Sequence, residues 1–293
     1  MMDVSVLGHQ VDYPENVTLL DFFNLKVTEC SQKIAVRYGR ETLTYQELNA
    51  KANTLAAQLQ ACGVGKGDIV PVIIGNSLEL PIAWLSLVKL GAVFVPFDPD
   101  WPVQRLQTNL AQIGSQTILV NAELDGISDC GSEVINVHAG SLVTSDYQLR
   151  LPQIAPDDLI YGFFTSGSTG LPKCALNKHR GIFNRFHYMA KHFDFCQPKT
   201  VLLNSRHVFD PSVWQILWTL TVGGEVVIPE KANHLDLAGM IDIIHERSIT
   251  MTDFVPSIFN ALVEMIDSSR SLVEKLSSLQ CLLIGGEAIN VKT

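Results

Sequence analysis

The stretch Tyr161-Gly-Phe-Phe-Thr-Ser-Gly-Ser-Thr-Gly-Leu-Pro-Lys173 concentrates the groups that hold an anion. An apolar run delivers the chain into Thr165, Ser166, Gly167, Ser168, Thr169 and Gly170. Two glycines let the backbone approach closely, the hydroxyls donate to phosphate oxygens, and Lys173 adds a positive charge. From Leu159 to Phe193 there is no Asp or Glu, while Lys173, Lys178, Arg180, Arg185 and Lys191 all fall inside the window. In a chain of formal charge −9 this is a local attractor for anions. The alternative is a Ser/Gly surface linker, which an apolar strand does not normally precede.

Two carboxylates stand out further along. Asp210 lies in Phe209-Asp-Pro-Ser212, just ahead of a helical pattern, where capping a helix is the ordinary job of an aspartate. Trp214, four residues on, falls on the same helical face, and core packing accounts equally well for it and for Phe209. Asp253 closes the apolar run Ile249–Phe254, where an unpaired buried carboxylate is costly; an exposed strand end is the alternative. Gly285-Gly-Glu-Ala288 follows the last apolar run and is, taken alone, a common turn.

Spacing removes several familiar chemistries. Gly167, Gly170 and Lys173 are three apart, unlike the Walker pattern, and Asp68 occupies the third glycine position after Gly63-Val-Gly65. No Gly-x-Ser-x-Gly elbow occurs, and His245-Glu246 lacks the second histidine of a zinc helix. Cys174 follows Lys173, so a lysine-favoured thiolate is one reading and an inert side chain the other.

Composition bounds the rest. The 293 residues are 47% apolar and only 17% charged, which excludes disorder and coiled coil. Twenty-one basic against thirty acidic residues make nucleic acid an unfavourable partner. The apolar stretch Leu78–Phe97 is interrupted by Glu79, Pro81, Lys89 and Pro96, so no membrane span is expected. Without a secretory signal at Met1–Asn16, the six scattered cysteines read as reduced thiols in a cytoplasmic protein.

The elements that must carry these residues alternate. Thr44 and Glu47 have capping-box spacing for a helix from Tyr45 to about Cys62. Strands are expected at 69–74, 92–95 (closed by Pro96), 117–120, 159–164, 200–203, 225–228, 249–254 and 281–284. Helices are expected at 77–90, 103–113, 181–192, 212–222, 237–246 and 257–266. The alternation predicts an α/β fold of helix-covered, largely parallel sheets. The polar stretch Asn121–Pro156 suggests sub-lobes 1–156 and 157–293.

With these residues in view, the chain resembles the adenylate-forming (AMP-binding) enzymes, most closely the amino-acid adenylation domains of nonribosomal peptide synthetases. Thr165–Lys173 is similar to that family's phosphate loop. Leu43-Thr-Tyr-Gln-Glu-Leu48, Leu90-Gly-Ala-Val-Phe-Val-Pro-Phe-Asp98, His179-Arg-Gly181, Phe209-Asp-Pro-Ser212 and Gly285-Gly-Glu-Ala288 match in the family's order. Cys174 departs from it, standing where glycine is usual. The resemblance implies the large N-terminal lobe and a two-step reaction. An amino acid attacks the α-phosphate of ATP, with Mg2+ offsetting charge, and the aminoacyl group then passes to the phosphopantetheine thiol of a carrier protein. It also implies that Asp210 pairs with the substrate ammonium, that Phe209, Trp214 and Asp253 line the acyl pocket, and that Gly285, Gly286, Glu287 and Ala288 lie against adenine. Asp253 at a selectivity position implies a polar or basic substrate side chain. The family's next motif, its small C-terminal lobe and its catalytic lysine would all lie beyond Thr293, so no catalytic residue is expected in these residues and the chain alone is expected to be inactive. A noncatalytic nucleotide- or substrate-binding module is the alternative class, and an acyl-CoA or aryl-acid ligase the alternative within the superfamily.

Overall fold

The computed structural model describes residues 14, 17–127, 131–142, 149–165, 172–230, 236–267 and 269–289. Ser166, Gly167, Ser168, Thr169 and Gly170, expected to form the phosphate loop, lie outside them.

The chain opens with α1 (Leu19–Glu29), β1 (Ile34–Tyr38), β2 (Glu41–Thr44) and α2 (Tyr45–Ala61). The capping box forms as the spacing predicts: the Thr44 N–H donates to Glu47 Oε2 at 2.8 Å and the Glu47 N–H to Thr44 Oγ1 at 3.2 Å. Then come β3 (Ile69–Ile73), α3 (Glu79–Leu90), β4 (Val93–Phe97), α4 (Val103–Ile113), β5 (Thr117–Val120) and β6 (Glu133–Asn136). Gly91 and Gly114 end α3 and α4 at φ of 66° and 64°, the left-handed cap that glycine adopts without strain. A hairpin of β7 (Leu159–Thr165) and β8 (Lys173–Lys178) follows, then α5 (His179–His192) and β9 (Thr200–Leu202). α6 (Pro211–Val213) runs through a π-helical turn (Trp214–Trp218) into α7 (Thr219–Thr221). The chain continues through β10 (Glu225–Ile228), α8 (Leu237–Glu246), β11 (Met251–Phe254), α9 (Pro256–Asp267), α10 (Arg270–Lys275) and β12 (Cys281–Ile284).

These strands form two six-stranded sheets, ordered β12-β11-β9-β10-β1-β2 and β6-β5-β3-β4-β7-β8. Every pairing is parallel except the hairpins β1–β2 and β7–β8 at the sheet edges. The expected α/β architecture is therefore present, with each sheet taking strands from both sides of Pro156. One continuous apolar cluster joins α1, α2, α3 and the Trp214–Leu220 helix to strands of both sheets, so the sheets share one helical filling.

Some expectations change. Pro96 lies inside β4 instead of closing it. It sits past the Phe94–Tyr161 pairing with β7, where its missing N–H removes no rung of that ladder. The polar stretch after Asn121 hides the edge strand β6, and the residues after Lys173 form β8.

Candidate functional site

Parallel strands put their carboxyl ends on one side, and the loops leaving those ends gather the chemistry. From one sheet come Leu203–Asp210 after β9, Asp253 at the end of β11 and Gly285 after β12; from the other come Asn76 after β3, Asp98 after β4 and Thr165 at the end of β7.

Asp253 is the most constrained group. Gln215 Nε2 donates to its Oδ1 at 2.6 Å, Ser205 Oγ to the same oxygen at 3.4 Å, and Trp214 Nε1 to Oδ2 at 3.3 Å. Asn204 donates to its backbone carbonyl and accepts from Gln215 Nε2 at 2.7 Å. This is not an exposed strand end. Burial raises the carboxyl to about 6, against the lowering by Trp214 and Ser205, while Asp210 raises it and Arg185 lowers it. Asp210 and Arg185 therefore share its electrostatic surroundings.

That shift has a sign that can be measured. Between the ordinary 3.8 and about 6 the folded state binds the proton more tightly than the unfolded chain. Stability therefore falls as pH rises through that window, and the cost of ionising Asp253 is fully present above it. Asp253→Asn is expected to gain about 1–2 kcal/mol at pH 7–8, the Trp214 bond being partly lost, with the gain fading towards pH 4. Urea unfolding at several pH values checks it.

Asp210 caps nothing: it begins α6 in helical geometry, φ −58° and ψ −26°, without a side-chain cap bond. Its carboxylate is exposed beside Phe209, which is 59% exposed, whereas Trp214 is 1% exposed. Trp214 thus spends its N–H on Asp253 and its ring on the core, packing edge-on against Trp218 at 6.1 Å. Gln215, fully buried, is a site residue that the sequence reading passed over; a glutamine inside the apolar run Ser212–Leu220 was its signal.

The basic window divides. Lys178 and Arg180 lie at the far end of the β7–β8 hairpin and pair with Asp157, at 3.5 and 2.9 Å, just outside the acid-free stretch. The single Asp157 carboxylate offsets part of their charge there. Lys173 sits opposite Thr165 at the loop end of the hairpin, where Thr165 Oγ1 donates to the Lys173 carbonyl at 3.3 Å. Cys174 packs into the cluster around Phe97 and Phe164, and burial raises its thiol, so the lysines do not make it a thiolate. Gly286 turns at φ +88° after β12, and Glu287 accepts from the Ser257 N–H and Oγ, both at 3.0 Å, at the start of α9.

A bracket joins the two sheets beside Asp253 and Asp210. His207, 3% exposed, has Nε2 3.0 Å from the Phe97 carbonyl and Nδ1 3.2 Å from Asn76 Oδ1. Burial lowers its imidazole, against the Phe97 carbonyl and Asp98, which raise it. Arg206 pairs with Asp98 at 3.1 Å and Asp100 at 3.2 Å.

The model of the AMP-binding enzyme family matches residues 23–293. The chain belongs to the AMP-binding enzyme family. Among its relatives, a mycosubtilin synthase protein of Bacillus subtilis is 30% identical over 283 residues, covering 96% of this chain and 11% of that protein. Tyrocidine synthase 3 of Brevibacillus parabrevis is 33% identical over 258 residues, 88% of this chain and 4% of that one. The chain thus spans a small part of either relative. The AMP-binding lobe also superposes on the nonribosomal peptide synthetase FmoA3, with a TM-score of 0.85 at 25% identity over 96% of this chain and 30% of that one. The N-terminal subdomain of Klebsiella oxytoca NpsA in complex with 3-hydroxybenzoyl-AMSN gives a TM-score of 0.80 at 27% identity, over 93% and 67%. Among the described residues of this AMP-binding chain no helix is long and apolar enough to cross a membrane.

Proposed function

We propose that this AMP-binding chain belongs to an enzyme that activates an α-amino acid as its adenylate and hands it to a carrier-protein thiol. The observation that carries this reading is the presence of two carboxylates at the strand ends: Asp210 exposed, and Asp253 more buried and held by Trp214, Gln215 and Ser205. Asp210 takes the substrate ammonium. Asp253 faces the substrate side chain and favours one that carries a hydrogen-bond donor or a positive charge, since an apolar group there would remove solvent from the carboxylate without compensating its charge. Phe209, exposed beside Asp210, supplies a wall, and Trp214 lies behind it holding Asp253.

The phosphates of ATP run along the loop from Thr165 through Ser166, Gly167, Ser168, Thr169 and Gly170 to Lys173. Gly285, Gly286, Glu287 and Ala288 flank the base. With both substrates bound, the amino-acid carboxylate attacks the α-phosphorus, the bond to the bridging oxygen breaks and pyrophosphate leaves with its electrons. The residues act by positioning and by charge, which suits a phosphoryl-type transition state. Mg2+ would accompany the phosphates. Among the described residues no three His, Cys, Asp or Glu side chains group as a metal site, so no step is assigned to an ion held by them.

Calorimetric titration with L-lysyl- and L-leucyl-sulfamoyladenosine, stable mimics of the aminoacyl adenylate, tests the reading. The lysyl compound is expected to bind more tightly, and Asp253→Ala to cut that preference about tenfold or more. An unchanged preference would defeat the role given to Asp253.

A further inference from the structure

The segment Leu203–Asp210 carries the pocket mouth, yet it is gripped from both sheets. On one side Ser205 Oγ and Asn204 hold Asp253. On the other, Asn76 donates to the Ser205 carbonyl at 3.0 Å and accepts from the His207 N–H at 3.2 Å, which fixes the orientation of its amide. The His207 ring then lies between two acceptors, Asn76 Oδ1 and the Phe97 carbonyl; the neutral ring carries one N–H and donates to one of them, while the His207 backbone N–H holds Asn76 in either tautomer. The His207 carbonyl accepts from Ser212 Oγ at 3.1 Å, tying the same residue to the helix that bears Trp214 and Gln215. A buried ring wedged between these two oxygens is not free to reach a ligand; it can act only through the backbone it pins.

We propose that His207 is a positioning residue: its bridge between Asn76 and the Phe97 carbonyl, reinforced by Arg206 on Asp98 and Asp100, lets one sheet set the Ser205–Asp210 segment against Asp253 in the other. The aim of both pocket carboxylates then depends on residues that touch no substrate. Cutting the bracket leaves Asp253 on β11 in place but moves its donors, since Ser205, Trp214 and Gln215 all lie on or beyond the pinned segment. The functional part of this proposal rests on the amino-acid pocket proposed above; the structural part does not.

The test is 15N-indole NMR on the chain, whose tryptophans are Trp84, Trp101, Trp214 and Trp218. The Trp214 Nε1–H signal is expected to follow the ionisation of Asp253, and Asp253→Asn to abolish that titration. In His207→Ala and Asn76→Ala the signal is expected to shift and its midpoint to move by about half a pH unit or more, while the other three indoles stay put. His207→Gln, which keeps a donor for the Phe97 carbonyl, is expected to restore much of it. A Trp214 midpoint in His207→Ala equal to the wild type overturns the proposal. If that variant does not fold, Asn76→Ser and Arg206→Met probe the same bracket, and an unmoved Trp214 signal in both overturns it. In binding, His207→Ala is expected to lower the preference for L-lysine over 6-aminohexanoate about tenfold. An unchanged preference in Asp210→Asn would instead defeat the pocket reading, and the Trp214 signal would still decide the role of His207.

Discussion

Asp210→Asn is expected to weaken binding of an α-amino acid by about 30- to 150-fold, while its deaminated analogue binds almost as before. A carboxylate–ammonium contact in a partly desolvated pocket contributes about 2–3 kcal/mol, and asparagine keeps the shape while removing the charge. Asp210 is exposed without ligand, so it carries no desolvation cost for the substrate to relieve. Its side chain makes no cap bond, so the same substitution should change unfolding free energy by less than about 0.5 kcal/mol. Calorimetry with L-lysine and 6-aminohexanoate, beside urea unfolding, separates the two effects. Equal losses for both compounds would make Asp210 a structural residue and remove the ammonium from the pocket.

The contrast between Asp210 and Asp253 marks how far the sequence reaches. Periodicity and turn residues are local, and most elements they predict are present, with α2, α4, β5, α8 and β12 matching to within a residue. What escaped was set by partners distant in the chain. β8 reads Lys-Cys-Ala-Leu-Asn-Lys, without alternation, and is a strand because β7 pairs with it. The hairpin β1–β2 lies at a sheet edge beside β10, about 190 residues away in the chain. At the site, the residue types of Asp210, Trp214 and Asp253 were legible, but their bonds were not. Four-residue spacing linked Trp214 to Asp210, whereas α6 gives way to a π-helical turn at Trp214, whose indole reaches Asp253. A basic window likewise says nothing of an acid just beyond its edge, and Asp157 pairs with two of its cations. The bracket at His207 exists only once both sheets are folded, because Asn76 and Phe97 are more than a hundred residues upstream.

Trp84→Ala is expected to cost about 4 kcal/mol of stability, and its consequences should reach the site. Trp84 is fully buried on α3. Its ring stacks on Phe94 of β4 at 4.1 Å and meets Tyr161 of β7 edge-on at 6.3 Å. Removing the indole empties a space bounded by a helix and two strands, which a rigid sheet cannot close. Both strands lead into the proposed site: β4 into Asp98 and the Phe97 carbonyl that holds His207, β7 into Thr165 and the proposed phosphate loop. A loosened floor should therefore weaken adenylate binding as well as stability. Trp84→Phe separates volume from polarity. The buried Trp84 Nε1 has no hydrogen-bond partner among the described residues, so phenylalanine sheds an unsatisfied donor while keeping most of the ring, and its cost should stay within about 1.5 kcal/mol. Urea unfolding of the two variants at equal m-value is the measurement. A phenylalanine variant as unstable as the alanine one would mean that the indole shape, not its volume, holds β4 and β7 together.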